Sequence, residues 1–172
     1  VNTKMETSDQ YRKYESEMER SKMIRQLQKT DIDCVGEIWL QANLGAHAFI
    51  PAQYWQDHLK MVQEMLLQSE VYVYEEVSQA CIQGMIGLVG EEIAGIFVRQ
   101  EMQANGIGKQ MLDYVKKKRQ RLSLHVYQKN TRAIAFYQKE GFQVLCETRD
   151  EATGEMEYIM CWQLNGCPKH NG

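Results

Sequence analysis

The sequence predicts a single α/β domain of the α+β kind, with a mixed, mostly antiparallel central sheet of about seven strands flanked by about four helices. Three observations carry this expectation. Short apolar strands follow one another closely at Val71–Tyr74, Gln83–Val89 and Glu92–Val98, the spacing of an antiparallel meander. A helical pattern then separates Val98 from the next strand at Leu122, which calls for a β-α-β crossover and hence one parallel pair. No repeat or low-complexity linker interrupts the 172 residues, one domain's length and enough to bury roughly two-thirds of the surface of the unfolded chain.

The elements follow in order. Residues 1–22 are rich in Glu, Lys, Arg and Ser and nearly free of aliphatic side chains, so they read as a polar extension, native or added, either a solvated helix or disordered. The domain proper spans 23–164, and 165–172 form a tail. Ile24–Leu27 alternates as a strand. Asp31 is placed to cap a helix through Val35, Ile38, Trp39 and Ala42. A loop from Asn43 to Ile50 carries Gly45, His47 and Phe49. Pro51 suits the first turn of a second helix, which reaches about Gln68 through Trp55, Leu59, Val62, Met65 and Leu66. In the meander, Gly84 and Gly87 mark local bends. The helix from Gly106 to about Lys118 aligns Ile107, Met111, Leu112 and Val115 on one face, and the cations Lys116 to Arg119 complement its C-terminus. Leu122–Tyr127 is a strand, and Arg132–Lys139 a helix stopped by Gly141. Gln143–Thr148 and Tyr158–Trp162 are strands joined by a turn at Thr153-Gly154.

Composition bounds the function. The apolar share is 44% and the charged share 25%, ordinary for a globular protein. There is no run of ~18 apolar residues and no apolar N-terminal stretch, so a cytoplasmic protein without membrane partners is expected. A net charge of −3 gives no general attraction to nucleic acid, and Lys116–Arg119 reads as a solvated helix end. Cys34, Cys81, Cys146, Cys161 and Cys167 form no C-x-x-C pair and read as free thiols, with Cys81 and Cys146 expected as buried strand residues rather than nucleophiles. His47, His58, His125 and His170 do not combine with them at zinc spacing, so no metal is expected.

The most informative segment is Gln103-Ala-Asn-Gly106-Ile-Gly108-Lys, set between a strand and a helix. A helix start offers unpaired N–H groups and a partial positive charge, and glycine lets backbone approach an anion closely. A pyrophosphate is the expected guest; an ordinary glycine turn is the alternative. Competing phosphate motifs fail. A dinucleotide turn would need glycine where Met111 stands, and a P-loop would need Ser or Thr where Gln110 stands.

Q-x-x-G-x-G at a helix start resembles the acetyl-CoA motif of the GNAT superfamily of N-acetyltransferases. The resemblance assigns Gln103, Ala104, Asn105, Gly106, Ile107, Gly108 and Lys109 to the pyrophosphate, and Ile96, Phe97 and Val98 to the strand that pairs with the pantetheine arm. Downstream, N-x-x-A-x-x-F-Y-x-x-x-G-F, from Asn130 through Ala133, Phe136 and Tyr137 to Gly141-Phe142, is similar to a second signature of that family. Asn130, Ala133 and Tyr137 share one helix face. Asn130 would cap the helix or bond the pantetheine amides. Tyr137 would serve as general acid to the departing coenzyme A thiolate, and a backbone N–H near Phe97–Val98 would face the thioester oxygen.

On the acceptor side, Glu92 is the first candidate for a general base, ahead of Glu75 and Glu76, each weighed against a solvated surface role. His47, Phe49 and Tyr54 lie where the family builds its acceptor pocket, and Trp55 reads as a core anchor. His47 would line the pocket or bond a loop carbonyl. Together these segments resemble the bacterial YiaC-like branch, implicated in acetylating protein lysines. The resemblance covers about 23–164. It implies direct attack by a primary amine on acetyl-CoA in a ternary complex, by a monomer or homodimer. The acceptor would be a protein lysine or a small amine such as a polyamine or aminoglycoside, for which Glu75, Glu76, Glu91 and Glu92 could form an acidic mouth. The alternative is a non-catalytic acetyl-CoA sensor.

Overall fold

In a computed structural model, which describes residues 22–166, seven strands form one sheet. They are β1 (Lys22–Gln26), β2 (Glu70–Glu76), β3 (Cys81–Val89), β4 (Glu92–Val98), β5 (Arg121–Tyr127), β6 (Gln143–Arg149) and β7 (Met156–Gln163). Four helices accompany them: α1 (Ile32–Ala46), α2 (Ala52–Leu66), α3 (Ile107–Lys116) and α4 (Thr131–Lys139). The strand order is β1-β2-β3-β4-β5-β7-β6. All neighbours are antiparallel except β4 and β5, which α3 connects as a parallel crossover. This is the mixed, mostly antiparallel sheet with four helices that the sequence predicts. Residues 1–21 of the expected extension and 167–172 of the tail, including Cys167 and His170, lie outside the described residues.

Strand alternation sorts the core into two layers. On β2, Val71 and Val73 face Val35, Ile38, Trp39 and Trp55 of α1 and α2. Tyr72 and Tyr74 face the opposite way, toward Met111, Leu112 and Val115 of α3. Tyr137 and Phe142 belong to that second layer, so α4 shares the face of α3. Each fully buried aliphatic side chain here contributes about 1.5–3 kcal/mol of transfer free energy.

Several boundaries differ from the sequence reading for local reasons. α1 does not stop at Asn43 but runs to Ala46. The Asn43 amide turns back to donate to Trp39 O at 2.9 Å, so it supports the helix instead of competing with it. The expected bend at Gly84 adjoins a bulge: Tyr74 pairs with Gly84 but Glu75 with Ile82, leaving Gln83 without an opposite residue in β2. The second bend falls in the neighbouring strand. Gly87 pairs with Gly95 but Leu88 with Ile93, so Ala94 is the extra residue in β4. The expectation of a buried Cys146 is corrected. It is exposed, because β6 is an edge strand and its register slips between Val144 and Cys146. Cys81 is partly buried and Cys161 buried.

Candidate active site

The bulge at Ala94 has a direct consequence for the neighbouring pair. β4 and β5 are in register only at Glu92 with Ser123 and Ile93 with Leu124. Beyond these pairs the strands part, and the second half of β4 has no partner on that side. Arg99 N–H donates to Gln83 O in β3 at 2.9 Å. Strand alternation therefore turns the amides of Val98 and Ile96 away from β3, toward the split. A cleft of about 520 Å³ opens there.

One end of the cleft is the start of α3. Gly106 stands at the N-cap with φ +77°, a left-handed conformation that glycine adopts without strain, and Ala104 shares that region at φ +64°. The chain thus turns sharply into the helix with its first amides facing outward. Gln110 N–H donates to Gly106 O at 3.0 Å. Among the described residues the N–H groups of Ile107, Gly108 and Lys109 have no acceptor, and no side chain caps this helix. A Cβ on Gly108 would meet Phe136 at 3.6 Å and Ile96 at 3.8 Å, ordinary contacts. Protein packing therefore does not demand glycine at 108; an anion resting on bare amides would.

The opposite wall is α4. Asn130 is its N-cap and accepts from Ala133 N–H at 3.1 Å. Ala133, Phe136 and Tyr137 line the cleft from the same helix. Tyr137 is 8% exposed, and no described residue hydrogen-bonds its phenol. Burial pushes its pKa well above the ordinary value of 10, so the ring stays protonated.

The cleft gathers Ile96, Phe97, Val98, Gln103, Ala104, Gly106, Ile107, Gly108, Lys109, Asn130, Ala133, Phe136, Tyr137 and His47. Asn105 is exposed beside the turn, where its side chain donates to Met102 O at 3.2 Å. Four placements are corrected. Glu92 is exposed at the far end of β4. Six residues at roughly 3.3 Å each set it ~20 Å from Val98, too distant to act on the same atoms. Glu75 points to β1, where Arg25 Nε donates to its carboxylate at 2.6 Å. Phe49 and Tyr54 are not in the cleft wall either. Phe49 packs edge-on against His47 with centroids 5.6 Å apart, and Tyr54 against Trp55 at 5.1 Å, so both stand behind His47.

Other lining residues escaped the sequence reading: Ala42, Asn43, Ala46, Met102, Arg132, Lys139 and Glu140. Arg132 Nη1 donates to Gln103 Oε1 at 2.8 Å, and Gln103 Nε2 donates to Val98 O at 3.2 Å, linking the turn to both walls. Glu140 accepts from Lys109 at 3.2 Å, so the acidic side chain at this end is already neutralised. Arg132 sits inside the N-x-x-A spacing, and its charge beside a phosphate turn is the signal that could have singled it out.

A sheet parted along one strand, with bare helix-start amides at one end and a buried phenol in the wall, is the arrangement that suits acyl transfer from a phosphate-bearing thioester. Residues 68–144 match the acetyltransferase (GNAT) domain family. The peptidyl-lysine N-acetyltransferase YiaC of Escherichia coli K12 is 36% identical over 145 residues, 83% of this chain and 97% of that protein. The apo-form YjaB structure from Escherichia coli superposes with a TM-score of 0.74 at 20% identity, covering 85% of this chain and 99% of that one. The PaiA N-acetyltransferase of Thermoplasma acidophilum, solved with coenzyme A, gives 0.67 at 18% identity, covering 83% and 99%. The chain belongs to the GNAT family of N-acetyltransferases, and acetyl-CoA is its acetyl donor.

Proposed function

We propose that this N-acetyltransferase acetylates the side-chain amine of lysine in a peptide or protein, by direct attack of the neutral amine on the thioester. The observation that carries the mechanism is the presence of bare α3 amides and the Tyr137 phenol in one cleft. The α3 turn would hold the pyrophosphate, and the Ile96 and Val98 amides would meet the pantetheine and the thioester carbonyl. As the tetrahedral adduct collapses, the C–S bond breaks and Tyr137 O–H gives its proton to the sulfur, assistance typically worth ~10²–10⁴-fold, while the proton shed by the attacking nitrogen returns to the phenolate through water. No described cysteine lines the cleft, which favours a ternary complex over an acyl-enzyme.

The choice of lysine over a polyamine rests on two things. The relative YiaC is named for peptidyl-lysine acetylation. The four glutamates that could have made an acidic mouth do not converge. Glu75 is paired with Arg25, Glu76 takes hydrogen bonds from Ser78 and Gln83, and Glu91 and Glu92 lie beyond the closed end of the split. Thiol release from acetyl-CoA, measured with a lysyl peptide, spermidine and an aminoglycoside, tests this. The expected kcat/KM is at least about tenfold higher for the peptide. A reversed order would overturn the acceptor assignment, and no thiol release with any amine would leave the acetyl-CoA sensor.

A further inference from the structure

A continuous chain of hydrogen bonds joins α1 to α4 across the cleft. Asn43 Nδ2 donates to Trp39 O at 2.9 Å. Asn43 Oδ1 lies 3.1 Å from His47 Nδ1. His47 Nε2 lies 3.1 Å from Asn130 Nδ2, and Asn130 Oδ1 accepts from Ala133 N–H at 3.1 Å. Asn43, His47, Asn130 and Ala133 all line the cleft.

Each end of this chain is tied to backbone, and that sets its direction. The amide nitrogen of Asn43 is committed to a carbonyl, so its oxygen faces the imidazole. The oxygen of Asn130 is committed to an N–H, so its nitrogen faces the imidazole. His47 must then donate from Nδ1 and accept at Nε2, which makes it a neutral ring with its single proton on Nδ1. Burial works the same way, holding its pKa down to about 4. Packing fixes the ring plane as well. His47 stacks on Trp55 at 5.4 Å, and the edges of Tyr127 and Phe49 close on it at 5.1 and 5.6 Å.

We infer that His47 is a positioning residue of acetyl transfer: by accepting from Asn130 it fixes the cap of α4, and with it the Tyr137 face, against the α1 side of the cleft. The two walls belong to opposite layers of the sheet, since His47 follows α1 and Tyr137 packs with α3. They meet because β4 and β5 part between them. α4 has nine residues, and its cap stands two turns from Tyr137 on the same face. An error in the cap is carried directly to the phenol, and misplacement by about 1 Å can cost ~10²-fold in rate. Asn130 therefore has a partner on the acceptor side in addition to any it makes with the donor.

The inference rests on the amine-acetylation reading with Tyr137 as acid, so its test has one arm that does not. Nitrogen NMR of histidine-labelled protein at neutral pH, assigned by loss of the signal in His47→Phe, should show His47 protonated at Nδ1 and bare at Nε2. Free histidine in water favours the reverse. An Nε2–H tautomer or an imidazolium overturns the inference whatever the acceptor is. In the second arm, His47→Phe keeps the ring stacking and removes both nitrogens. Its kcat should fall on the order of tenfold or more while the KM for acetyl-CoA stays within about threefold. His47→Gln, which can still donate to Asn43 and accept from Asn130, should recover part of the loss. Wild-type kcat in His47→Phe, or equal loss in both variants, overturns the inference. Absence of turnover by the unsubstituted protein with every amine would instead sink the amine-acetylation reading, with the tautomer result standing on its own.

Discussion

Tyr137 is buried, lines the cleft and is raised above the ordinary phenol range by desolvation, which suits the proposed acid role alongside its packing against Phe136 and Phe142. Because burial disfavours phenolate, the folded-state pKa exceeds 10 and the donor form persists through pH 10. The attacking lysine has the opposite need, a neutral amine from a group with pKa near 10.4. The pH profile of kcat/KM should therefore rise through pH 9 with no falling limb from Tyr137; a limb that turns down near pH 8 would remove the phenol from the mechanism. Tyr137→Phe should lower kcat by roughly tenfold or more with acetyl-CoA affinity unchanged. Gly108 gives a sharper contrast. Gly108→Ala has room against Phe136 and Ile96 and should fold at least as stably, within about 1 kcal/mol, yet bind acetyl-CoA more weakly. Gly108→Glu should abolish binding by setting bulk and charge against the pyrophosphate. Calorimetric titration of both variants with acetyl-CoA separates the cases. What was readable from the chain was position: Gly106, Gly108, Asn130, Ala133 and Tyr137, which meet backbone or sit at fixed helix spacing, fall along one cleft. The positions of Glu92 and Glu75 were not readable, because a strand pattern tells which face a side chain takes but not which end of the strand meets the cleft.

Among the elements, β1 and the turn before α1 depend on one guanidinium. Arg25 donates to Asp31 at 2.7 and 3.1 Å and to Glu75 at 2.6 Å, while Asp31 also accepts from Gln28 N–H at 2.7 Å. The Arg25 hydrogen bond holds the Asp31 carboxyl below its ordinary range despite burial. A depressed folded-state pKa means stability that is present above about pH 4 and lost as pH falls below it. Asp31→Ala should destabilise the protein by about 1–3 kcal/mol in urea unfolding, flatten that acid limb, and leave acetyl-CoA binding intact. Element types and order followed from apolar period and turn chemistry. The extension of α1 to Ala46 did not, because it depends on Asn43 bonding backward, and asparagine in a sequence reads equally well as a stop.

For the whole molecule, the sheet is two antiparallel halves, β1–β4 and β5–β7–β6, joined by two residue pairs and the α3 crossover. Acetyl-CoA lying along β4 would bridge them. Amide exchange should slow on its addition at Ile96, Val98 and the 106–109 turn, and thermal stability should rise by about 2.7 kcal/mol at a hundredfold excess over Kd. Protection confined to the exposed helix α2 would contradict this placement. The division into halves was invisible in sequence, since Ala94 announces nothing as a letter; its meaning lies in what Gly87 and Leu88 pair with opposite. Deleting Ala94 would make Ile93 with Leu88 and Gly95 with Gly87 consecutive pairs, leave Phe97 opposite Met85 and remove the kink from β4. The two strands could then zip together along their whole length. The product would be a better-knit sheet that had sealed its own doorway, so a single alanine stands between a sturdier fold and a working one.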